Sequence, residues 1–348
     1  MRYKDHYQNW RKNPQEFWVD QAKFLKWQTA PEKIFEHNES GDRWYVGGVM
    51  NTCFNCVDRH VEAGHGARIA FIHDSPMTGT KSQISYAELL DRVQCVATMM
   101  QDKGIEKGDR VIIYMPMIVE TAIAALACAR LGAIHSIVFG GFAAAELATR
   151  LDDAKPKLVL AASCGLEPGR IIDYKPLLDG AIELASHRPE ACIIWQRDEA
   201  PAPLISGRDF EWQPLENQAR AADRRATCVS VLATDPLYIL YTSGTTGVPK
   251  GVVRDNGGHL VALSWAMENI FNIAPGEVFW AASDFGWVVG HSFILYGPLA
   301  IGATSVIYEG KPIGTPDAGA FWRVIAEHGV KALFTAPTAF RAIKKEDP

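Results

Sequence analysis

The sequence predicts an α/β fold made of parallel sheets. From about residue 68 onward, short and continuously apolar runs alternate with stretches whose apolar residues recur at helical spacing. The apolar runs do not alternate with polar residues, so each strand is covered on both faces, as parallel strands are. Glycine and proline punctuate the junctions at Gly104, Gly108, Pro116 and Gly132.

Residues 1–62 stand apart. Tyr3, Tyr7, Trp10, Phe17, Trp18, Phe24, Trp27, Trp44 and Tyr45 are set among polar neighbours. This pattern suits short helices and loops that wrap a larger body through aromatic anchors. The alternation then begins with a strand at 68–73. Leu89, Leu90, Val93, Val96, Ala97 and Met100 fall on one helical face. Gly104 ends that helix and Gly108-Asp109 makes a turn. A strand at 110–114 follows, and Pro116 is expected to open a helix running to Leu131. Next come strand 134–139, helix 143–151, strand 158–162, helix 177–186 and strand 191–195.

Residues 197–226 are charged, rich in Pro and Ala, and weakly periodic, which reads as an excursion between subdomains. Alternation resumes with strand 237–242, a glycine loop, strand 251–254 and a helix at 257–271. Strand 278–281, a helix after Gly290, strand 304–308 and helix 320–328 complete the pattern before strand 332–335 and a short helix after Pro337. The expected units are an N-terminal extension (1–62), a first α/β subdomain (63–225) and the start of a second (226–348). The final strand–helix unit has no closing element after it, which raises the expectation that the chain is part of a longer protein.

Bulk properties exclude some classes. The 348 residues are 48% hydrophobic and 22% charged, with a net charge of −5. This is ordinary globular composition, without the basic footprint of a nucleic-acid binder. No apolar run reaches the length of a membrane span. The polar N-terminus resembles neither a signal nor a transit peptide. Seven scattered cysteines fit a reduced, cytoplasmic protein, or a mitochondrial matrix one. Cys53 and Cys56 form a C-x-x-C near His60 and His65. No second pair accompanies it, and Met50, Phe54 and Val57 outline a helix face, so buried structural thiols are expected there.

The most informative run is residues 241–251, Tyr-Thr-Ser-Gly-Thr-Thr-Gly-Val-Pro-Lys-Gly, directly after an apolar strand. Its glycines let backbone N–H groups converge on one point, its hydroxyls add donors, and Lys250 adds a mobile cation. That combination suits a polyphosphate. The Walker spacing fails, because Pro249 stands where its second glycine belongs and Gly251 where its hydroxyl residue belongs. The dinucleotide pattern fails because Ser243 and Thr245 flank Gly244.

This loop resembles the phosphate-binding signature of adenylate-forming enzymes. Phe139-Gly-Gly-Phe142, Ser283-Asp-Phe-Gly-Trp-Val-Val-Gly-His291, Tyr296-Gly-Pro-Leu299, Tyr308-Glu-Gly310 and Thr335-Ala-Pro-Thr-Ala339 resemble the short-chain branch, the acetyl- and propionyl-CoA synthetases. Tyr114-Met-Pro-Met117, Asp152-Asp-Ala-Lys-Pro156 and Arg254-Asp-Asn-Gly-Gly258 are most similar to propionyl-CoA synthetase. The resemblance implies two mostly parallel βαβ subdomains of an adenylate-forming large domain, truncated before its β-barrel and C-terminal domain. It implies an AMP-forming ligase that uses ATP with Mg²⁺, a short-chain carboxylate and CoA, and that is compatible with a homo-oligomer. Acetate or another short acid is an alternative substrate, and a non-catalytic nucleotide- or CoA-binding module is the alternative from another class.

By the same resemblance, Thr242, Ser243, Gly244, Thr245, Thr246, Gly247 and Lys250 hold the ATP phosphates. Trp287, Val288, Val289 and Gly290 line the acyl pocket. Val289 stands where acetyl-specific members carry Thr, which favours one more methylene. Phe139, Gly140, Gly141, Arg170 and Ala336 lie along the CoA path, with Glu167 where an arginine is usual. His291 is read as a structural histidine. The adenine and Mg²⁺ motif, the ribose-binding aspartate, the hinge and the C-terminal lysine are expected beyond Pro348. No catalytic residue is therefore expected within these residues, and the chain alone is expected to bind nucleotide weakly without turnover.

Overall fold

A computed structural model describes residues 3–39, 41–242 and 249–347. Two mostly parallel sheets organise the chain. The larger has seven strands in the order Asp209–Glu211, Ala191–Trp195, Leu158–Ala162, Arg110–Tyr114, Ile134–Ile137, Pro236–Thr242 and Lys250–Asp255. All its neighbours pair in parallel except the last, which runs antiparallel with Tyr241 opposite Gly251. The smaller has five strands in the order Val330–Thr335, Val278–Ala282, Thr304–Tyr308, Ile69–Ser75 and Thr80–Ser85, again with one antiparallel edge.

The core follows from the apolar runs. Every residue of Leu158–Ala162 and Thr304–Tyr308 is buried, as expected for strands covered on both faces. The helix Val119–Leu131 is buried along its whole length, because its alanines leave no bulky polar face to expose. The helix Tyr86–Asp102 starts with a capping box: the Ser85 hydroxyl accepts from the Glu88 amide, and Glu88 accepts from the Ser85 amide.

The chain crosses between the sheets in both directions. Residues 69–85 join the smaller sheet beside Thr304–Tyr308, whereas 236–255 join the larger one beside Ile134–Ile137. Boundaries at 62/63 and 225/226 therefore follow chain order and do not separate the sheets.

Several elements differ from expectation. The helix expected at Pro116 begins at Val119. Pro116 lies in the preceding turn, where its carbonyl accepts from the Ile118 amide (2.9 Å) and the Thr121 hydroxyl (2.6 Å). The excursion at 197–226 contains the edge strand Asp209–Glu211 and the helix Trp212–Ala221. Only Trp212, Glu216 and Ala219 of that helix are buried, so its apolar stripe is too sparse to stand out. The antiparallel strand Thr80–Ser85 is polar enough to read as a loop, and the hairpin Cys164–Glu167/Arg170–Asp173 has strands too short to show a period.

The N-terminal residues form the helices Tyr3–Lys12 and Pro14–Ala22 and the hairpin Lys33–Asn38/Gly41–Val46. Asn13 caps the second helix by accepting from the Glu16 amide. The anchors divide into two groups. Phe17, Trp18, Trp44 and Tyr45 pack inward, with Trp18 against Trp265 at 6.3 Å, while Tyr3, Tyr7 and Trp10 remain exposed.

Candidate active site

The carboxyl ends of strands from both sheets meet at one cleft of about 320 Å³. This is where open parallel sheets place ligands, because loops leaving neighbouring strands diverge there. Pro116 and Met117 reach it from Arg110–Tyr114, and residues 139–141 reach it from Ile134–Ile137. From the smaller sheet come Ala282, Ser283, Asp284 and Trp287, together with Tyr308, Glu309, Gly310 and Lys311. Leu166, Glu167 and Ile172 close one side from the hairpin.

Phe139, Gly140 and Gly141 line the cleft together with Trp287. The Tyr114 hydroxyl donates to the Phe142 carbonyl (3.0 Å), and the Tyr114 ring lies 4.8 Å from that of Tyr174. A Cβ at Gly140 would fall 1.9 Å from the Tyr174 hydroxyl, so only glycine fits. The aromatic faces of Phe139 and Trp287 approach at 6.0 Å across the cleft.

The segment carrying Trp287 is held from several directions. Asp284 accepts from the Gly286 amide (2.8 Å), the Trp287 amide donates to the Asp284 carbonyl (3.1 Å), and the Phe285 amide meets the Met117 sulfur. Burial pushes the Asp284 carboxyl above its ordinary range, while the Gly286 amide and Lys311 oppose this. Trp287 is 49% exposed and Val288 is 42% exposed, so this stretch is no core segment. Val289 is half-buried against the core, and Gly290 is buried and opens the π-helix Gly290–Tyr296.

His291 is fully buried, and its Nδ1–H donates to the Trp287 carbonyl (3.1 Å). Burial lowers its pKa to about 4, leaving a neutral, structural ring stacked 5.5 Å from His135.

The strand Pro236–Thr242 lies beside Ile134–Ile137 and ends where the glycine-rich run begins. Tyr238 pairs with His135, so Thr242 and Phe139 each stand four residues further along their parallel chains. Thr242 pairs with Lys250 across the hairpin, and both are exposed. Ser243, Gly244, Thr245, Thr246 and Gly247 lie outside the described residues. Arg150 links this strand to the Phe139 loop, its guanidinium resting 5.5 Å from the Tyr241 ring and 4.5 Å from that of Phe142. The Tyr241 hydroxyl donates to Asp153 (2.5 Å).

Two expected CoA residues are not brought into the lining. Arg170 projects into solvent from the hairpin, and its Nε donates to Glu167 (2.9 Å), so the departure at 167 also engages the guanidinium beside it. Ala336 is exposed at the start of the helix Pro337–Glu346.

Glu309 of the cleft lining is held by two residues that the sequence does not single out. Arg197 makes a bidentate pair with Glu309 (2.6 and 3.1 Å), and the Ser75 hydroxyl also donates to Glu309 (2.8 Å). Glu309 lies within a quoted motif, but Arg197 sits in the excursion and carries no sequence signal. Lys311 is the cleft's lining cation among the described residues.

Two groups of described residues have metal-ligand spacing, Cys53/Asp58/Cys228 and Asp74/Glu327/His328, and neither lines the cleft. Arg130 already neutralises Asp58, and Lys81 pairs with both Asp74 and Glu327. No helix among the described residues is long and apolar enough to cross a membrane.

Comparison with known proteins agrees with this geometry. Residues 57–348 match the family model described as AMP-binding enzyme, and residues 3–56 match that of the acetyl-coenzyme A synthetase N-terminus. The chain is 53% identical over 348 residues to the rat acyl-CoA synthetase short-chain family member 3, mitochondrial, covering 99% of this chain and 50% of that protein. It is 44% identical over 346 residues to the propionate–CoA ligase of Escherichia coli, covering 99% and 54%. An uncharacterized protein of Pseudomonas aeruginosa is 56% identical over 336 residues, covering 96% and 53%. The chain spans about half the length of the curated relatives it matches.

Proposed function

The chain belongs to the AMP-binding enzyme family, and we propose that it is the part of a propionate–CoA ligase that carries the phosphate loop, the acyl pocket and the CoA side of the cleft. In the proposed reaction a propionate oxygen attacks the α-phosphorus of ATP–Mg²⁺, and pyrophosphate leaves. The CoA thiolate then attacks the acyl carbon, and AMP leaves. Chemistry of this kind depends on positioning and on neutralising charge, more than on a protein nucleophile.

The observation that carries the reading is the parallel pair Tyr238↔His135, from which Thr242 and Phe139 each follow four residues later. It supports a phosphate loop that starts near the aromatic pair Phe139 and Trp287. In this reading the loop from Thr242 to Gly247 cradles the β- and γ-phosphates, and Lys250, exposed at the hairpin, swings in as counter-charge. Trp287, Val288 and Val289 bound the alkyl group, with Gly290 turning the chain behind them. CoA approaches past Phe139, Gly140 and Gly141, with Arg170 and Ala336 further along its path. The free cysteines fit a reducing compartment, the cytoplasm or the mitochondrial matrix.

The test is ATP–pyrophosphate exchange by the protein's full reading frame with propionate or acetate. Propionate-dependent exchange, favoured over acetate by roughly tenfold as one methylene allows, is expected. Retained ATP binding with no exchange for any short-chain acid would overturn the reading.

A further inference from the structure

Away from the cleft, Cys53 and Cys228 meet from distant parts of the sequence. The antiparallel pairs Val49↔Leu232 and Met50↔Val231 bring the two segments together, and the chain turns helical at Thr52, just before Cys53. Asn51 secures this alignment, its Nδ2 donating to the carbonyls of Val229 (2.9 Å), Ala129 and Arg130 (3.0 Å each). The Val229 amide donates to the Arg130 carbonyl (2.8 Å).

The two sulfurs and an Asp58 carboxylate oxygen lie within 4.8 Å of one another. Arg130 Nη1 sits 3.7 Å from the Cys53 sulfur. Cys53 is fully buried and Cys228 is part-exposed, while the other five thiols are buried. A metal ion fits poorly here, because the buried Arg130 guanidinium already binds both Asp58 oxygens (2.9 and 3.0 Å).

We propose that Cys53 and Cys228 are a dithiol pair that a hydroperoxide oxidises to a disulfide, with Cys228 as the thiol the oxidant meets. The Cys228 thiol donates toward an Asp58 oxygen (3.9 Å), and its sulfur attacks the terminal peroxide oxygen as that proton departs. An S–O bond forms, the O–O bond breaks, and the alcohol (or water) leaves with the thiol's proton. The Cys53 sulfur then attacks the Cys228 sulfenic acid, forming S–S, breaking S–O and releasing water with its own proton. Two thiols are oxidised and one peroxide is reduced. Because Ala233 N–H already donates to the Gly48 carbonyl (2.8 Å), the bond staples two segments that are already aligned. It ties the N-terminal extension to the stretch entering the strand Pro236–Thr242.

The experiment treats this chain with a small excess of hydrogen peroxide, alkylates free thiols and maps peptides by mass spectrometry. A Cys53–Cys228 cross-linked peptide lighter by two hydrogens, reversed by dithiothreitol, is expected. The oxidised chain should melt about 5 °C higher, as closing a long loop implies. Cys228→Ser should abolish the cross-link and the shift. Cys53→Ser should leave a sulfenic acid at Cys228 that dimedone traps. Wild-type chain that over-oxidises Cys228 without cross-linking, cross-links through another pair, or holds a stoichiometric chelatable ion that shields both thiols would overturn the proposal.

Discussion

Gly286 faces the backbone of Phe139 so closely that a Cβ there would lie 2.9 Å from the Phe139 nitrogen and 3.0 Å from its Cα. Gly286 leaves the smaller sheet and Phe139 leaves the larger one, so this contact sets how near the two loop systems come and how wide the cleft opens. Backbone atoms on both sides leave nothing flexible to give way. Gly286→Ala is therefore expected to destabilise the chain by about 1–3 kcal/mol, the usual cost of overpacking. Chemical denaturation reads this loss, and an unchanged midpoint would mean the loops separate freely.

Trp287 presents the opposite case. It is half-exposed and its one aromatic partner among the described residues is Phe139, so Trp287→Ala should cost only about 1 kcal/mol of stability. In the full reading frame the same change should raise KM for the carboxylate severalfold while the fold survives. A large loss of stability with unaltered KM would return Trp287 to a structural role.

Val289 lies between these extremes, half-buried against the core at the start of the π-helix. Val289→Thr adds a hydroxyl at nearly constant volume. The propionate-to-acetate ratio of kcat/KM should fall by roughly tenfold in the full reading frame, within the ~1–3 kcal/mol that one methylene carries. A ratio that does not move would remove Val289 from the acyl pocket.

The interior strands were legible because burial on both faces forces continuous apolar runs, and Arg110–Tyr114, Leu158–Ala162, Ala191–Trp195 and Thr304–Tyr308 fall where the runs do. Thr80–Ser85 was not legible, since four of its six residues are exposed at a sheet edge and carry no apolar signature. Phe139 and Trp287 were legible as motif residues, but their 6.0 Å approach depends on two sheets whose strands are far apart in sequence. The pair Arg197–Glu309 was not legible for the same reason, since nothing near Arg197 announces a partner after Tyr308.

Acid should unfold the protein through its buried histidines before its carboxylates. Burial lowers His291 and His60 to about 4 and His259 to about 3, against about 6.5 in an unfolded chain. The unfolded chain then binds more protons, so this stability is full above pH 6.5 and is lost as pH falls toward 4. Each histidine accounts for roughly 3 kcal/mol at most over that window. Ion-paired carboxylates held low, such as Glu216 beside Arg92, lose their contribution only below about pH 4.5. Melting temperature should thus fall steeply between pH 6.5 and 4.5, and His259→Gln should flatten that slope. A melting curve flat across this range would contradict neutral buried rings.

The pair Arg130–Asp58 gives the last prediction, and it separates two views of a buried charge. Side-chain exposure is 3% for Arg130 and 11% for Asp58, so neither partner keeps much water when the other is removed. Arg130 also donates to the Ala226 carbonyl (2.6 Å), joining the end of the helix Val119–Leu131 to the residues before the strand Pro236–Thr242. Arg130→Met strands the Asp58 carboxylate and that carbonyl, and should cost about 3–5 kcal/mol. Adding Asp58→Leu removes the orphaned charge and should recover part of the loss, because two apolar side chains avoid the desolvation cost of an ion pair. A double variant no more stable than Arg130→Met would instead assign the loss to the broken link with Ala226. Denaturation of the two single variants and the double variant decides between these outcomes.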